Sequence, residues 1–183
     1  EVSDVANAVR SGTDAVMLSG ETAAGKYPLE AVQMMDKVAR QTEAFLWEHG
    51  LFRFPKEEGG AETVMPVEDA VAQTTAQLSR NLMVRAILII SRSGCSISVM
   101  SSFRPAAPVL GISTDERLSR SQCLLWGVIP VTADEAECEH PQELIRRLAG
   151  ELGLAQADQR VLLVGGFSAD AKTNNPSVTV VTV

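Results

Sequence analysis

The sequence predicts an α/β protein whose main domain is a five-stranded, mostly parallel sheet with helices on both faces. Three observations favour this fold class. From about residue 66, short apolar runs alternate with longer segments of helical periodicity. The runs lack the alternation of a half-exposed strand, which is typical of parallel strands buried on both faces. The last run follows a loop instead of a helix, so we expect it to pair antiparallel.

The elements of this domain follow one another between residues 66 and 183. Predicted strands cover 86–90, 109–112, 128–131, 161–164 and 178–183. Predicted helices cover 66–82, 96–103, a segment opened by Thr114 and Asp115, and 141–152. Pro130 removes a backbone donor from the third strand, which places that strand towards an edge of the sheet.

The first fifty residues predict a smaller unit of helix, strand and helix. Ser3 and Asp4 are expected to cap a short helix, residues 15–18 to form a buried strand, and Pro28 to open a long amphipathic helix. Residues 19–27 are predicted as a polar loop. A lone strand can neither pair its backbone nor bury both faces, so this unit is incomplete by itself.

A charged stretch rich in Gly and Pro separates the two units. It contains Pro55, Gly59 and Gly60, a composition typical of linkers. The predicted organisation is therefore a first unit at 1–50, a linker at 51–65 and an α/β domain at 66–183.

Composition excludes several classes of function. The net charge of −7 disfavours a nucleic-acid-binding face. Three cysteines without a CxxC pair, together with two histidines, argue against a zinc site and a disulfide framework. This cysteine usage predicts a reduced, cytoplasmic setting. No apolar run has the length of a membrane span, so we expect no membrane partner. The first residue is Glu1 and not Met, and we expect the chain to be cut from something longer.

One candidate site follows the first strand of the sheet, at the edge where ligands of such sheets bind. It combines hydroxyls, a guanidinium, a glycine and the start of a helix, all of which suit a phosphate. Its residues are Ser91, Arg92, Ser93, Gly94, Cys95 and Ser96. The alternative is that the serines only cap the helix and that Arg92 is solvated.

Two further loops carry candidate residues. The loop after the fourth strand offers Gly166, Phe167, Ser168 and Lys172, with a flexible surface hairpin as the alternative. In the first unit, Ser19 and Glu21 follow the predicted strand and could position water or substrate. The alternative, that Glu21 and Thr22 only hold that loop in place, is favoured.

Several segments resemble the pyruvate kinase family. EVSDVANAV (1–9), DAVMLSGETA (14–23) and GKYP (25–28) look like the last part of its catalytic barrel. SRSGCS (91–96) is similar to the family's phosphate loop for an allosteric effector. GF (166–167), with TN (173–174), resembles its effector loop, and WGVIPV (126–131) also fits.

The resemblance implies that residues 1–50 are the end of a (β/α)8 barrel and that residues 66–183 are an effector-binding, C-terminal regulatory domain. The family is a glycolytic kinase that transfers phosphate from phosphoenolpyruvate to ADP, using Mg²⁺ or Mn²⁺ and usually K⁺. Its catalytic residues lie upstream of this chain, so we expect no catalytic residue here beyond Ser19 and Glu21 at the margin, no cofactor and no activity of the chain alone.

The resemblance also implies partners. The family is typically a homotetramer, so self-association is expected. Cys95 and Ser168 stand where relatives have basic residues. A sugar monophosphate or AMP is therefore a more suitable effector than fructose 1,6-bisphosphate. The competing hypothesis is a free-standing, non-catalytic module of the same fold that binds a phosphorylated metabolite or mediates assembly. The incomplete first unit favours the enzyme, because a free module has no use for it.

Overall fold

The computed structural model describes residues 1–51, 64–168, 170 and 172–183. The chain forms two compact units, Glu1–Lys56 and Glu57–Val183. Most of the predicted linker, residues 52–63, lies outside the described part.

The described part of the first unit is helical. It contains α1 (Val2–Arg10), α2 (Gly20–Ala23) and α3 (Pro28–Glu48), and both shorter helices contact α3. Pro28 occupies the first turn of α3, where a missing N–H costs no hydrogen bond. The apolar stripe of α3 buries Val38 and Leu46.

Three predictions for this unit are wrong. Residues 15–18 form no strand, and Met17 is 86% exposed. A strand needs a hydrogen-bonded neighbour, and the described residues of this unit supply none. Ser3 and Asp4 lie within the first turn of α1 and not at its cap. Part of the predicted loop at 19–27 is the short helix α2.

The second unit alternates helices and strands as predicted. Its helices are α4 (Val67–Leu82), α5 (Cys95–Ser102), α6 (Glu116–Gln122), α7 (Glu135–Glu139) and α8 (Pro141–Glu151). Its strands are β1 (Ile87–Ile90), β2 (Val109–Ser113), β3 (Val128–Thr132), β4 (Arg160–Gly165) and β5 (Ser177–Thr182).

The five strands form one sheet in the order β3-β2-β1-β4-β5. β1 pairs in parallel with β2 and β4, and β2 pairs in parallel with β3. β5 pairs antiparallel with β4, as its loop connection predicted. Pro130 lies on the edge strand β3, which confirms its predicted position.

Both faces of the sheet are covered. Leu110 and Ile112 of β2 belong to a buried cluster that includes the apolar face of α8. Gly111, between them, points to the other face, where a Cβ would lie 2.3 Å from Gln122 Oε1 of α6 and 3.2 Å from Ile97 of α5. Because neighbouring residues of one strand meet different helices, the fold is an α/β sheet between two helical layers.

The strand order places the loops after β1 and β4 at the centre of the sheet. β1 is connected through α5 to β2 on one side and lies beside β4 on the other. Chain connections leave these two neighbouring strands in different directions, so a crevice opens between their carboxyl ends. This topology positions the candidate site.

Candidate functional site

The loop from β1 to α5 starts at the carboxyl end of a fully buried strand. Ser91 continues the ladder, since its N–H donates to the carbonyl of Ile112 on β2 at 2.9 Å. The chain then turns, and α5 begins at Cys95. All six predicted residues, 91–96, therefore lie at the carboxyl edge of the sheet and at the start of α5, as the sequence pattern indicated.

A buried hydroxyl fixes the shape of this loop. Ser91 is 7% exposed, and its Oγ accepts a hydrogen bond from the Gly94 N–H at 2.9 Å. Gly94 has a φ of +80° and is buried, with the position of a Cβ only 2.9 Å from Leu118 Cδ1. Any other residue at 94 would suffer both backbone strain and this contact. Ser91 and Gly94 are thus the frame of the loop.

The other residues of the loop are more accessible. Arg92, Ser93 and Cys95 are exposed, and Ser96 is partly buried. The Oγ of Ser93 accepts from the Cys95 N–H at a long 3.4 Å. The N-cap of α5 is Gly94, which has no side chain, so apart from this long bond the N–H groups of the first turn lack a capping side chain. This end of α5 carries positive potential and N–H donors that are at most weakly bonded by side chains, which suits an anion.

The loop after β4 is held together by its own hydrogen bonds. Gly166, at a φ of +83°, accepts from the Asn175 N–H at 2.9 Å and closes the base of the loop. Ser168 makes three hydrogen bonds in this loop. Its Oγ lies 2.7 Å from Thr173 Oγ1 and accepts from the Asp170 N–H at 3.2 Å, and its N–H donates to Asn174 Oδ1 at 3.1 Å. The hydroxyl of Ser168 is therefore engaged inside the loop.

Two other candidates of this loop differ in exposure. Phe167 is partly buried, and Lys172 is exposed. The Lys172 N–H donates to Asp170 Oδ1 at 3.0 Å, which leaves its ammonium group as the part that can reach a ligand. Because β4 is the parallel neighbour of β1, this loop leaves the same edge of the sheet as residues 91–96.

Ser19 and Glu21 form a turn at the start of α2. The Ser19 N–H donates to Glu21 Oε2 at 2.9 Å, and the Thr22 hydroxyl donates to the Ser19 carbonyl at 3.2 Å. Hydrogen bonds from the backbone N–H groups of Glu21 and Ser19 lower the pKa of the Glu21 carboxyl. With these contacts, Glu21 stabilises the turn in which it lies.

Sequence reasoning missed α7 and the cavity beside it. Asp134 Oδ1 accepts from the Glu137 N–H at 2.7 Å, and Glu137 Oε2 accepts from the Asp134 N–H at 3.1 Å. This reciprocal pair is a capping box, whose signature of Asp and Glu three residues apart is visible in the sequence. α7 lies across a cavity of about 240 Å³ from the carboxyl ends of β1 and β2.

The described residues contain no group of three or more His, Cys, Asp or Glu side chains that could hold a metal ion. Among the same residues, no helix is both long and apolar enough to cross a membrane.

The fold and the loop geometry define a doubly wound α/β domain in which a loop at the centre of the sheet leads from a buried strand to the start of a helix. A family model described as pyruvate kinase, alpha/beta domain, matches residues 69–179, and one described as pyruvate kinase, barrel domain, matches residues 1–32. The chain belongs to the pyruvate kinase family. The resemblance seen in its motifs and the predicted fold class are both confirmed.

Named relatives agree with this assignment. Pyruvate kinase of Sporosarcina psychrophila is 36% identical over 177 residues, which cover 96% of this chain and 30% of that protein. Pyruvate kinase of Geobacillus stearothermophilus is 44% identical over 128 residues, covering 70% of this chain and 21% of that protein. The chain thus spans about a third or less of the length of these relatives.

A solved structure shows the same fold. Cryptosporidium parvum pyruvate kinase in complex with ADP matches with a TM-score of 0.78 and 25% sequence identity. The match covers 99% of this chain and 36% of that one. The likeness therefore includes the short helical segment at the start as well as the α/β unit.

Proposed function

We propose that the α/β unit binds a phosphorylated metabolite at the loop between β1 and α5, as the regulatory domain of a pyruvate kinase. One observation carries this proposal. The buried Ser91 and the left-handed Gly94 hold the loop folded, while Ser93 and Cys95 at the start of α5 stay accessible. The bond from the Cys95 N–H to Ser93 Oγ is long at 3.4 Å, whereas a loop that served only as a helix cap would bond the first turn of α5 closely.

The charges of the site favour a single phosphate. Cys95 and Ser168 are uncharged, and the cations at the two loops are Arg92 and Lys172. A phosphate at the start of α5 would gain charge-assisted hydrogen bonds of about 1.5–3 kcal/mol each. A second phosphate near residue 168 would meet a hydroxyl that is already bonded to Thr173. The ligand class that fits is a sugar monophosphate or AMP.

Calorimetric titration of glucose 6-phosphate, ribose 5-phosphate and AMP tests this site. Ser93→Asp should abolish binding, because it places a carboxylate where the phosphate lies. Ser93→Ala should weaken binding about tenfold, the equivalent of one such hydrogen bond. Ser121→Asp adds the same charge on the exposed surface of α6 and should change the affinity by less than about twofold, a shift of only a few tenths of a kcal/mol.

Equal binding to the wild type and Ser93→Asp would place the ligand elsewhere on the chain. Absence of binding to the wild type would leave the loop as a helix cap and contradict the proposal.

We infer further that this domain serves an enzyme that transfers phosphate from phosphoenolpyruvate to ADP. The barrel match at 1–32, in the same chain as the α/β match, supports the association with a catalytic barrel. We expect no turnover from the 183-residue chain itself, because phosphoryl transfer needs metal ions and cations positioned around the transferred group. A coupled assay with phosphoenolpyruvate, ADP, Mg²⁺ and K⁺ measures this, and turnover above background would contradict it.

Self-association belongs to the same proposal. In the described part of the first unit, Leu29, Val32 and Met34 of α3 are exposed apolar side chains, which water solvates unfavourably. We expect a dimer or larger species by light scattering, and a monomer at high protein concentration would count against this part of the proposal.

A further inference from the structure

Helix α6 is anchored to the domain with little apolar burial. It has seven residues, of which Leu118 is the only apolar one, and that side chain is half-buried. The side chains that it does bury, Ser119 and Gln122, are both polar. By contrast, α8 buries four apolar side chains in the cluster beneath the sheet. Because apolar burial supplies most of the stability of a packed helix, α6 is weakly anchored.

The burial of Gln122 works against this helix. Its side chain is 2% exposed, and in the described part of the chain neither Nε2 nor Oε1 has a hydrogen-bond partner. Oε1 lies 2.3 Å from where a Cβ of Gly111 on β2 would stand, so the amide fits only because residue 111 is a glycine. A buried amide without partners has lost the hydrogen bonds that water gives it in the open chain. Opening of α6 restores those hydrogen bonds.

Other contacts of α6 are polar. Asp115 Oδ1 caps the helix by accepting from the Arg117 N–H at 2.8 Å, and Ser119 Oγ accepts from Thr132 Oγ1 at 3.1 Å. The ion pair within the helix lies on the surface, where such pairs contribute little. A helix of seven residues held in this way has a low free energy of local unfolding.

The apolar side chain of α6 lies on the β1–α5 loop, residues 91–96. Leu118 Cδ1 is 2.9 Å from where a Cβ of Gly94 would stand, and Leu118 covers that buried glycine. Gly94 has a φ of +80° and donates its N–H to Ser91 Oγ, the bond that keeps the loop folded. When α6 opens, Leu118 leaves and uncovers the residue with the widest choice of backbone conformations. Opening of α6 therefore loosens the loop.

We propose that α6 is an order–disorder switch of the β1–α5 loop. The helix opens by local unfolding, and a phosphate bound at residues 91–96 holds it closed through Gly94 and Leu118. A ligand that binds only the closed form stabilises that form, by an amount set by its concentration relative to its dissociation constant. Ordering of α6 is then the response of the domain to its ligand. This inference rests on the proposed phosphate binding and assigns its conformational consequence.

Hydrogen exchange, measured by NMR on the 183-residue chain, tests the opening. The amides of residues 119–122 should exchange at least about 100-fold faster than those of β1. Low concentrations of urea should scarcely change their rate, because opening of seven residues exposes little surface. Gln122→Met keeps a long side chain without the amide and should slow these amides about tenfold. Gln142→Met, the same substitution on the exposed surface of α8, should change them by less than about twofold.

Two results of this experiment would overturn the opening. One is protection of residues 119–122 equal to that of β1, which would mean that α6 leaves only when the whole unit unfolds. The other is exchange that Gln122→Met leaves unchanged or speeds up, which would mean that the amide stabilises the closed helix.

Glucose 6-phosphate tests the link between α6 and the loop. At about 100 times its dissociation constant it should slow the exchange of residues 119–122 about 100-fold, because each opening requires release of the ligand. The amides of α3, which belongs to the other unit, should not change. Calorimetric binding without protection of α6 would overturn the link and leave the phosphate site standing. No binding of glucose 6-phosphate, ribose 5-phosphate or AMP would overturn the site and the link together.

Discussion

At the residue scale, Gly166 is the position where the backbone leaves least choice. It adopts a φ of +83°, and a Cβ there would lie 2.0 Å from the carbonyl oxygen of Asn175. We expect Gly166→Ala to lower the free energy of unfolding by about 2 kcal/mol or more, through backbone strain and this contact. Urea denaturation measures the loss.

Gly165→Ala is the control for this prediction. Gly165 has no positive φ, and no atom lies within 4 Å of its would-be Cβ. Its replacement should change stability by less than about 1 kcal/mol. Equal effects of the two substitutions would show that the base of the β4–β5 loop does not depend on the conformation of Gly166.

The serines at 91 and 93 show that the sequence predicts the position of a loop but not the burial of its individual hydroxyls. The pattern of a buried strand, hydroxyls, a glycine and a helix predicted a loop at the edge of the sheet. It could not separate the two hydroxyls, because burial of Ser91 depends on its hydrogen bond to Ile112 of a strand distant in sequence. Ser93, two residues later, has left the sheet and is exposed.

At the element scale, α7 depends on its cap. It has only five residues, too few for helical propensity to sustain it. Asp134→Ala removes the acceptor of the Glu137 N–H and should cost about 1 kcal/mol, whereas Asp134→Asn keeps a side-chain acceptor and should cost little. Thermal unfolding of both variants measures the difference. An alanine variant as stable as the asparagine variant would mean that packing against α8 alone holds α7.

The secondary-structure elements that were predicted correctly are those with neighbours in their own unit. The five strands and the longer helices of the second unit carry strong apolar patterns, and each has a partner within the same unit. Residues 15–18 carry an equally apolar pattern but have no strand beside them in the described part of their unit, so no strand forms. An apolar pattern indicates a tendency to form a strand, but a strand forms only where a neighbouring strand completes its hydrogen bonds.

For the whole molecule, the two units differ in how complete they are. The second unit contains all five strands and a buried cluster drawn from residues between Ala86 and Val181. Among the described residues of the first unit, the buried hydrophobic side chains are Val38 and Leu46. Stability of a domain grows with the apolar surface that it buries, so the second unit carries most of the stability of this chain.

We therefore expect residues 64–183 to fold without the first unit. The isolated α/β unit should unfold cooperatively, within a few degrees of the main transition of the 183-residue chain, because all members of the buried cluster belong to it. It should also keep the affinity for a sugar monophosphate, since residues 91–96 and the β4–β5 loop both lie inside it.

Residues 1–51 alone should show no cooperative transition, because two buried side chains do not offset the entropy of ordering the helices. Calorimetry and circular dichroism of the two pieces measure this. A non-cooperative transition with strong dye binding by residues 64–183 would show that the first unit stabilises the sheet.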